Sequence, residues 1–161
     1  MTPADHLDYL KTINQAFQDQ IKTADQKAAY IFTFLIALVA WSPEMRRVFT
    51  WTETVPFPSA KWALCLVLVV ALCCALASVA LVLLPRRLTG GACLFWATWP
   101  EAGDRLDHAL LNGDQTFIVA EYTANARNLA TICRVKYRFV GYGFRSLMVV
   151  IACYVALMIT G

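Results

Sequence analysis

The sequence predicts an all-α membrane protein with three transmembrane helices, whose N-terminal helix and helical linker extend into the cytosol. The run from Trp62 to Leu84 carries no charge and has Ser78 as its only hydroxyl. Since about 20 apolar residues cross a hydrocarbon core, this run is long enough for a span. With 59% hydrophobic and 16% charged residues, a chain of 161 residues could not bury this helix in apolar protein and stay soluble.

The first span is the upper part of a longer helix. The apolar run from Ala28 to Trp41 is too short to cross by itself. However, apolar residues recur at steps of three and four from the N-terminal segment into this run, which predicts one helix of about 35 residues. Lys27 can extend its ammonium to the headgroups, and the polar Asn14 would fix the register of the seam. The seam residues are Leu7, Leu10, Asn14, Phe17, Ile21, Ala24, Ala28, Ile31, Leu35 and Leu38.

The last span is the continuation of a second long helix. Asp114 follows Asn112 and Gly113, which end a short helix starting at Pro100, and Asp114 is expected to cap the next helix. That helix runs into the final apolar stretch, with Gly141 and Gly143 as its weak point. The predicted segments are a cytosolic helix (1–27), span 1 (28–42), an outer loop (43–61), span 2 (62–84), a cytosolic helical linker (85–145) and span 3 (146–161).

The distribution of basic residues sets the orientation. The N-terminal tail and the linker together hold eleven Lys and Arg residues, and the loop between the first two spans holds three. The positive-inside rule therefore places the N-terminus and the linker of this multi-pass membrane protein in the cytosol. Aromatic residues near the span ends are expected to act as interfacial anchors. These are Trp41, Trp51, Trp62, Phe95, Trp96 and Trp99.

The sequence contains few residue patterns that support catalysis or metal binding. It has no H-E-x-x-H pair, G-x-S-x-G elbow or P-loop. The six cysteines show no C-x-x-C spacing, so they are interpreted as small packing residues. We therefore expect no enzyme activity, no metal, no cofactor and no nucleic-acid partner.

Lys136 is the most unusual charged residue. It lies on the apolar face of the last cytosolic helix, where Asn125 is the other polar residue near the centre. A buried lysine needs an acidic partner, an anionic ligand or a path to water. Asp25 is the predicted partner, and an anionic ligand is the alternative or additional one. The opposite side of the helix carries a basic stripe that either faces lipid headgroups or holds such a ligand: Arg127, Arg134, Arg138 and Arg145.

Association between chains is also predicted. Ala71, Ala75 and Ser78 place small side chains on one face of the second span, where helices can approach closely. Three spans are too few to enclose a pore, so a protein that opens the membrane would do so as a homo-oligomer.

Four short motifs follow one another along the chain: "ADQKA" before the first span, "LLP" at the end of the second span, the aromatic "LFWA", and "KY" before the last span. In this order and spacing they resemble the transmembrane effectors of Pycsar, a bacterial antiphage system. The resemblance implies an effector in the lipid bilayer that responds to cyclic UMP or cyclic CMP, made by a partner pyrimidine nucleotide cyclase. It then impairs inner-membrane integrity and causes abortive infection. Phe95 and Trp96 could stack on a base, although Ala97 departs from the family pattern.

Seven residues are the candidates for ligand binding or gating. The family motifs point to Asp25 and Lys27 in "DQK" and to Lys136 and Tyr137 in "KY". The residues themselves add cationic and amide groups suited to an anionic nucleotide, namely Asn125, Arg127 and Arg134.

Two other functions fit the sequence without the resemblance. One is an accessory or structural subunit of a membrane complex, and the other is a holin-like toxin that needs no ligand. The toxin would kill on expression alone, the effector would be tolerated until its messenger appears, and the subunit would do neither.

Overall fold

Four helices account for most of the described part of the chain, and further helical residues lie at 103–104, 107–109 and 111. The computed structural model describes residues 3–50, 59–84, 103–104, 107–109 and 111–160. The helices are α1 (Pro3–Trp41), α2 (Pro43–Thr50), α3 (Ala60–Leu83) and α4 (Gln115–Thr160). Three stretches are long and apolar enough to cross a membrane: Asp5–Trp41, Ala60–Leu83 and Gln115–Ile159. The predicted all-α membrane fold with three spans is confirmed.

The chain divides into two units that share α1 and α4. Unit 1 comprises Met1–Thr23 and Pro85–Val135. Unit 2 comprises Ala24–Leu84 and Lys136–Gly161, and so contains α2 and α3.

The seam of α1 is buried as predicted. Leu10 and Asn14 are buried in unit 1, and Ala24, Ala28 and Leu35 are buried in unit 2. The remaining seam residues are buried or half-buried. Because the helix is continuous over 39 residues, the prediction of one long helix instead of a tail and a separate span is confirmed.

Small residues bring α3 and α4 close together in the core of unit 2. Ala75 and Val79 of α3 are fully buried. A Cβ atom on Gly143 of α4 would lie 3.5 Å from Val79 Cγ2, 3.7 Å from Ser78 Cβ and 4.0 Å from the Ala75 carbonyl oxygen. The small-residue face of the second span therefore packs against a helix of its own chain, whereas the sequence suggested it as a surface for association.

The predicted outer loop contains a short helix, α2. Ser42 caps it, because its Oγ accepts a hydrogen bond from the Met45 backbone N–H at 3.2 Å. Pro43 occupies the first helical position, where no N–H is needed. Met45 is fully buried in unit 2. Two turns of helix are too short for a periodic apolar pattern, so the sequence did not indicate this element.

The start of α4 is confirmed as predicted. Gly113 has a φ of 64°, and Asp114 Oδ1 accepts hydrogen bonds from the backbone N–H groups of Thr116 and Phe117, each at 3.1 Å. Hydrogen bonds from the Thr116 hydroxyl and the Phe117 backbone N–H lower the pKa of Asp114 below its ordinary value. From there α4 continues for 46 residues through Gly141 and Gly143 without a break.

Some predictions concern residues outside the described ranges. They include the aromatic anchors Trp51 and Trp99, the proposed stacking residues Phe95 and Trp96, and the start of a short helix at Pro100. The structure gives no account of these positions.

Candidate functional site

A buried ion pair joins α1 and α4 in unit 2. Lys136 has 8% of its surface exposed and is the buried charged residue among the described side chains. Its Nζ donates a hydrogen bond to Asp25 Oδ1. The Asp25 side chain is 38% exposed, so the carboxylate is less enclosed than the ammonium. The predicted pairing of Lys136 with Asp25 is confirmed, while its role in ligand response stays a prediction.

Lys27 and Tyr137 form a second contact between the same two helices. The Lys27 Nζ lies 5.6 Å from the centre of the Tyr137 ring, close enough for a cation–π interaction. Both residues are exposed. The four residues of the "DQK" and "KY" motifs therefore meet in two cross-helix pairs, Lys136 with Asp25 and Lys27 with Tyr137.

Unit 1 contains a cluster of amides. Asn14, which is 5% exposed, donates from Nδ2 to the carbonyl oxygens of Leu10 at 2.8 Å and Tyr122 at 3.2 Å. Its Oδ1 accepts a hydrogen bond from Asn125 Nδ2 at 2.6 Å. The buried amide of Asn14 is thus satisfied in three directions, as the low polarity of a helix contact requires.

A pocket opens beside this cluster. It has a volume of about 280 Å³, and we call it the amide pocket. Its lining consists of polar groups of α1 and two residues of α4: Lys11, Asn14, Gln15, Gln18, Tyr122 and Asn125. All six lining residues belong to unit 1.

The two arginine candidates lie outside these contacts. Arg127 and Arg134 are both exposed on α4. Arg138 and Arg145 of the predicted basic stripe are exposed as well. Exposure agrees with a stripe that faces solvent or headgroups. Neither Arg127 nor Arg134 lines the amide pocket or contacts the Lys136–Asp25 pair.

Sequence reasoning did not anticipate the amide cluster as a unit. It identified Asn14 as a polar seam residue and Asn125 as a polar residue on an apolar face, but in separate helices. When each of two apolar helix faces carries one polar residue, those two residues are expected to pair, because each buried amide needs a partner. The sequence shows such a pair of positions.

A polar cluster at the base of α2 also went unrecognised. Ser42 Oγ donates to Glu44 Oε2 at 3.0 Å, and Tyr154 Oη of α4 donates to the same oxygen at 3.4 Å. A hydrogen bond from its own backbone N–H, followed by the one from the Ser42 hydroxyl, lowers the pKa of Glu44 below its ordinary value. These contacts attach α2 to α4, and they involve no candidate ligand residue.

Comparison with known proteins identifies the family. A family model described as the Pycsar effector protein domain matches residues 9–161. The chain belongs to the Pycsar effector family. No curated protein and no solved structure matches this Pycsar effector. The resemblance carried by the four sequence motifs is thereby confirmed.

Family membership establishes the general role. Pycsar effectors are membrane effectors of antiphage defence, and the family is not a known enzyme family. It implies a cyclic-nucleotide signal from a cyclase partner. The three span-length helices and the family together describe a membrane protein.

Proposed function

We propose that this Pycsar effector responds to a cyclic pyrimidine nucleotide, cyclic UMP or cyclic CMP, supplied by a partner pyrimidine nucleotide cyclase. The response impairs the integrity of the bacterial inner membrane, so that the infected cell dies before phage are released. The effector acts without a cofactor or catalysis. Its N-terminus and the linker face the cytosol, on the side that carries eleven of the fourteen basic residues.

The Lys136–Asp25 ion pair is the observation that carries the gating part of the proposal. The pair links α1 and α4 where Ala24, Ala28 and Val140 form the neighbouring buried core. Separating the two charges would leave Lys136 unpaired in apolar surroundings, which costs several kcal/mol. We call the arrangement with the ion pair intact the closed form. It therefore persists until another interaction offsets that cost.

An anionic nucleotide can supply the offsetting interaction in two ways. It can bind a form in which α1 and α4 are rearranged, or it can bring a phosphate to a lysine released from Asp25. In both cases the nucleotide shifts the equilibrium by as much as its affinity differs between the closed and rearranged forms. Lys136 and Asp25 thus stabilise the closed form, and the contact between Lys27 and Tyr137 stabilises the same pair of helices at the surface.

Membrane damage is proposed to require several copies. The described part of one chain has three helices long and apolar enough to span a membrane, and their buried faces pack on one another. Large apolar side chains elsewhere on the spans remain exposed and are available for lipid or for a second copy. Examples are Phe32, Phe34, Val70, Phe144 and Met148.

A dye-release assay tests the proposed function. The purified full-length chain is reconstituted in liposomes loaded with a self-quenched dye, and cyclic UMP, cyclic CMP, cyclic AMP or buffer is added. The proposal expects release with at least one cyclic pyrimidine nucleotide and none with cyclic AMP or buffer. Lys136→Met should abolish release although the protein still inserts. Lys22→Met, which removes an exposed lysine of α1, should respond like the wild type.

Other results would contradict the proposal and point elsewhere. Release in buffer alone would indicate a ligand-independent, holin-like toxin. The absence of release with every nucleotide, from liposomes proven to contain the protein, would favour an accessory subunit. Full response by Lys136→Met would remove the lysine from the gating mechanism.

A further inference from the structure

The amide pocket of unit 1 has the size and chemistry of a small-ligand site. Its volume of about 280 Å³ is near the lower end of the range, roughly 300–1,000 Å³, that holds small organic ligands. Four of its lining residues follow one another at helical spacing on α1, and two do so on α4, so both walls are regular helices. Walls of this kind hold the backbone positions of the lining residues in a regular arrangement.

The two asparagines of the pocket differ in how many of their amide groups already have hydrogen-bond partners. Both Nδ2 hydrogens of Asn14 and its Oδ1 already have partners. Asn125 uses one Nδ2 hydrogen toward Asn14 and makes no other hydrogen bond within the described part of the chain. An amide has two N–H donors and an acceptor oxygen, so Asn125 retains one donor and its acceptor oxygen. Asn14 therefore holds Asn125 in place and leaves its remaining amide groups available.

A donor and an acceptor side by side match the edge of a pyrimidine base. Uracil presents an N–H next to a carbonyl oxygen, and cytosine presents an amino group next to a ring nitrogen. One carboxamide can pair with either edge through two hydrogen bonds. Tyr122 and Gln18 add an aromatic surface and a further amide to the same pocket.

Lys11 supplies the charge that a nucleotide phosphate requires. Its Nζ lies 3.1 Å from Asp8 Oδ1, and the two side chains are 51% and 78% exposed. Exposed pairs of this kind are weak, so the ammonium can turn from Asp8 to a stronger anion at little cost. A cyclic nucleotide carries a single negative charge, which one lysine can match.

We propose that the amide pocket is the binding site for the cyclic pyrimidine nucleotide, with Lys11 contacting the phosphate and Asn125 contacting the base edge. This assignment rests on the proposed function, since it takes the messenger to be a cyclic pyrimidine nucleotide. It adds four residues to the candidate set that the sequence did not identify as ligand-binding: Lys11, Gln15, Gln18 and Tyr122. Asn14 acts as a positioning residue through Asn125.

Direct binding measurements on the detergent-solubilised full-length chain test the assignment. Dissociation constants are measured for cyclic UMP, cyclic CMP, uridine and inorganic phosphate. Lys11→Met should weaken binding of the preferred cyclic nucleotide about tenfold, because one charge-assisted hydrogen bond is lost. It should leave uridine binding within about twofold, since uridine has no phosphate. Lys11→Arg should restore most of the affinity.

Lys22→Met is the matched control. Lys22 is also an exposed lysine of α1, and it pairs with Asp19 three residues away at 3.5 Å, as Lys11 pairs with Asp8. It does not line the pocket, so its removal should leave every dissociation constant unchanged. A second comparison uses Asn125→Ala, which should weaken both cyclic nucleotide and uridine. The exposed Asn112, replaced by alanine, should have no effect.

The outcomes separate the two proposals. If the wild type binds a cyclic pyrimidine nucleotide and Lys11→Met and Asn125→Ala bind it equally well, the pocket assignment is wrong while the proposed function stands. If the wild type binds none of the cyclic nucleotides, the proposed function itself fails and the pocket assignment fails with it. A Lys22→Met variant that loses as much affinity as Lys11→Met would show a non-specific charge effect and overturn the role of Lys11.

Discussion

Unit 1 and unit 2 use the same two helices in different ways. In unit 2, α1 and α4 pack with α3 around a core of apolar side chains, many of them alanine or valine, and one ion pair lies at its edge. In unit 1, the described residues bury few side chains, and an asparagine is among them. Those buried residues are Leu10, Asn14, Ala109 and Cys133.

The difference indicates a division of labour along α1 and α4. A three-helix apolar core suits a bilayer, where helices pack through small residues. Amides, a polar pocket and exposed ion pairs suit an aqueous environment that contains a soluble messenger. We infer that unit 1 is the sensing unit and unit 2 the membrane-perturbing unit.

The largest effect on stability is expected at the ion pair of unit 2. Asp25→Ala leaves Lys136 unpaired in a buried position, and we expect the free energy of unfolding to fall by about 3 kcal/mol. Lys136→Met should cost less, about 1 kcal/mol, because the carboxylate it leaves behind is 38% exposed. The double variant should be more stable than Asp25→Ala alone. Unfolding is followed in mixed micelles of a mild detergent and a denaturing one.

Asp19→Ala serves as the control for this series. Asp19 pairs with Lys22 at 3.5 Å, and both side chains are more than half exposed. Its loss should change the free energy of unfolding by less than about 0.5 kcal/mol. A double variant no more stable than Asp25→Ala would argue that Lys136 is not held in place by Asp25.

The second prediction concerns the close approach of α3 and α4. A leucine at Gly143 must displace Val79 or the α3 backbone, so Gly143→Leu should cost about 1–3 kcal/mol. Gly141 has no neighbouring atom within 4 Å of an added Cβ. Gly141→Leu should therefore be neutral or slightly stabilising, since leucine favours the helix more than glycine does. Equal losses for both variants would contradict the packing of Gly143 against α3.

The third prediction is a smaller loss in the amide cluster of unit 1. Asn14→Leu removes the partner of Asn125 Nδ2 and of the Tyr122 carbonyl oxygen. Because the leucine restores some apolar contact, we expect a cost of about 1–2 kcal/mol. Hydrogen exchange should show greater opening in the Tyr122 region of α4, with the unit 2 core unchanged. Loss of protection throughout α3 would show that the two units do not respond separately.

The smallest effect is a pH dependence at the start of α4. Because the pKa of Asp114 is lowered in the folded chain, its contribution to stability is complete above the ordinary aspartate value of about 4 and is lost as pH falls through the lower folded value. Exchange at the Thr116 and Phe117 amides should then increase at acid pH relative to neighbouring turns. Asp114→Asn keeps a capping side chain without a titrating group, so it should remove this pH dependence.

The sequence predicted the three long helices and the ion pair because both depend on strong residue patterns. Apolar residues at steps of three and four continue across the boundary between the polar and apolar stretches, so they predicted α1 as one helix. A lysine on an apolar face required an acidic partner, and Asp25 was the suitable residue. The Asp114 cap followed from the residues around Gly113. These features depend on periodicity and on the cost of burying charge.

Other features depend on tertiary placement that a single sequence does not specify. To predict the amide pocket, one must know which face of α1 contacts Tyr122 and Asn125. The helix α2 is too short to show a periodic pattern. Arg127 and Arg134 lie on an exposed face of α4, as the predicted basic stripe implies, and their role in ligand binding stays a prediction.

One paired measurement tests the division of labour most directly. Nucleotide binding and dye release are recorded on the same proteoliposomes for the wild type, Lys11→Met and Lys136→Met. We expect Lys11→Met to shift the half-maximal nucleotide concentration for release about tenfold with an unchanged maximum. We expect Lys136→Met to bind nucleotide normally but to release no dye. Loss of binding in Lys136→Met, together with a wild-type response from Lys11→Met, would contradict the assignment of sensing to unit 1 and gating to unit 2.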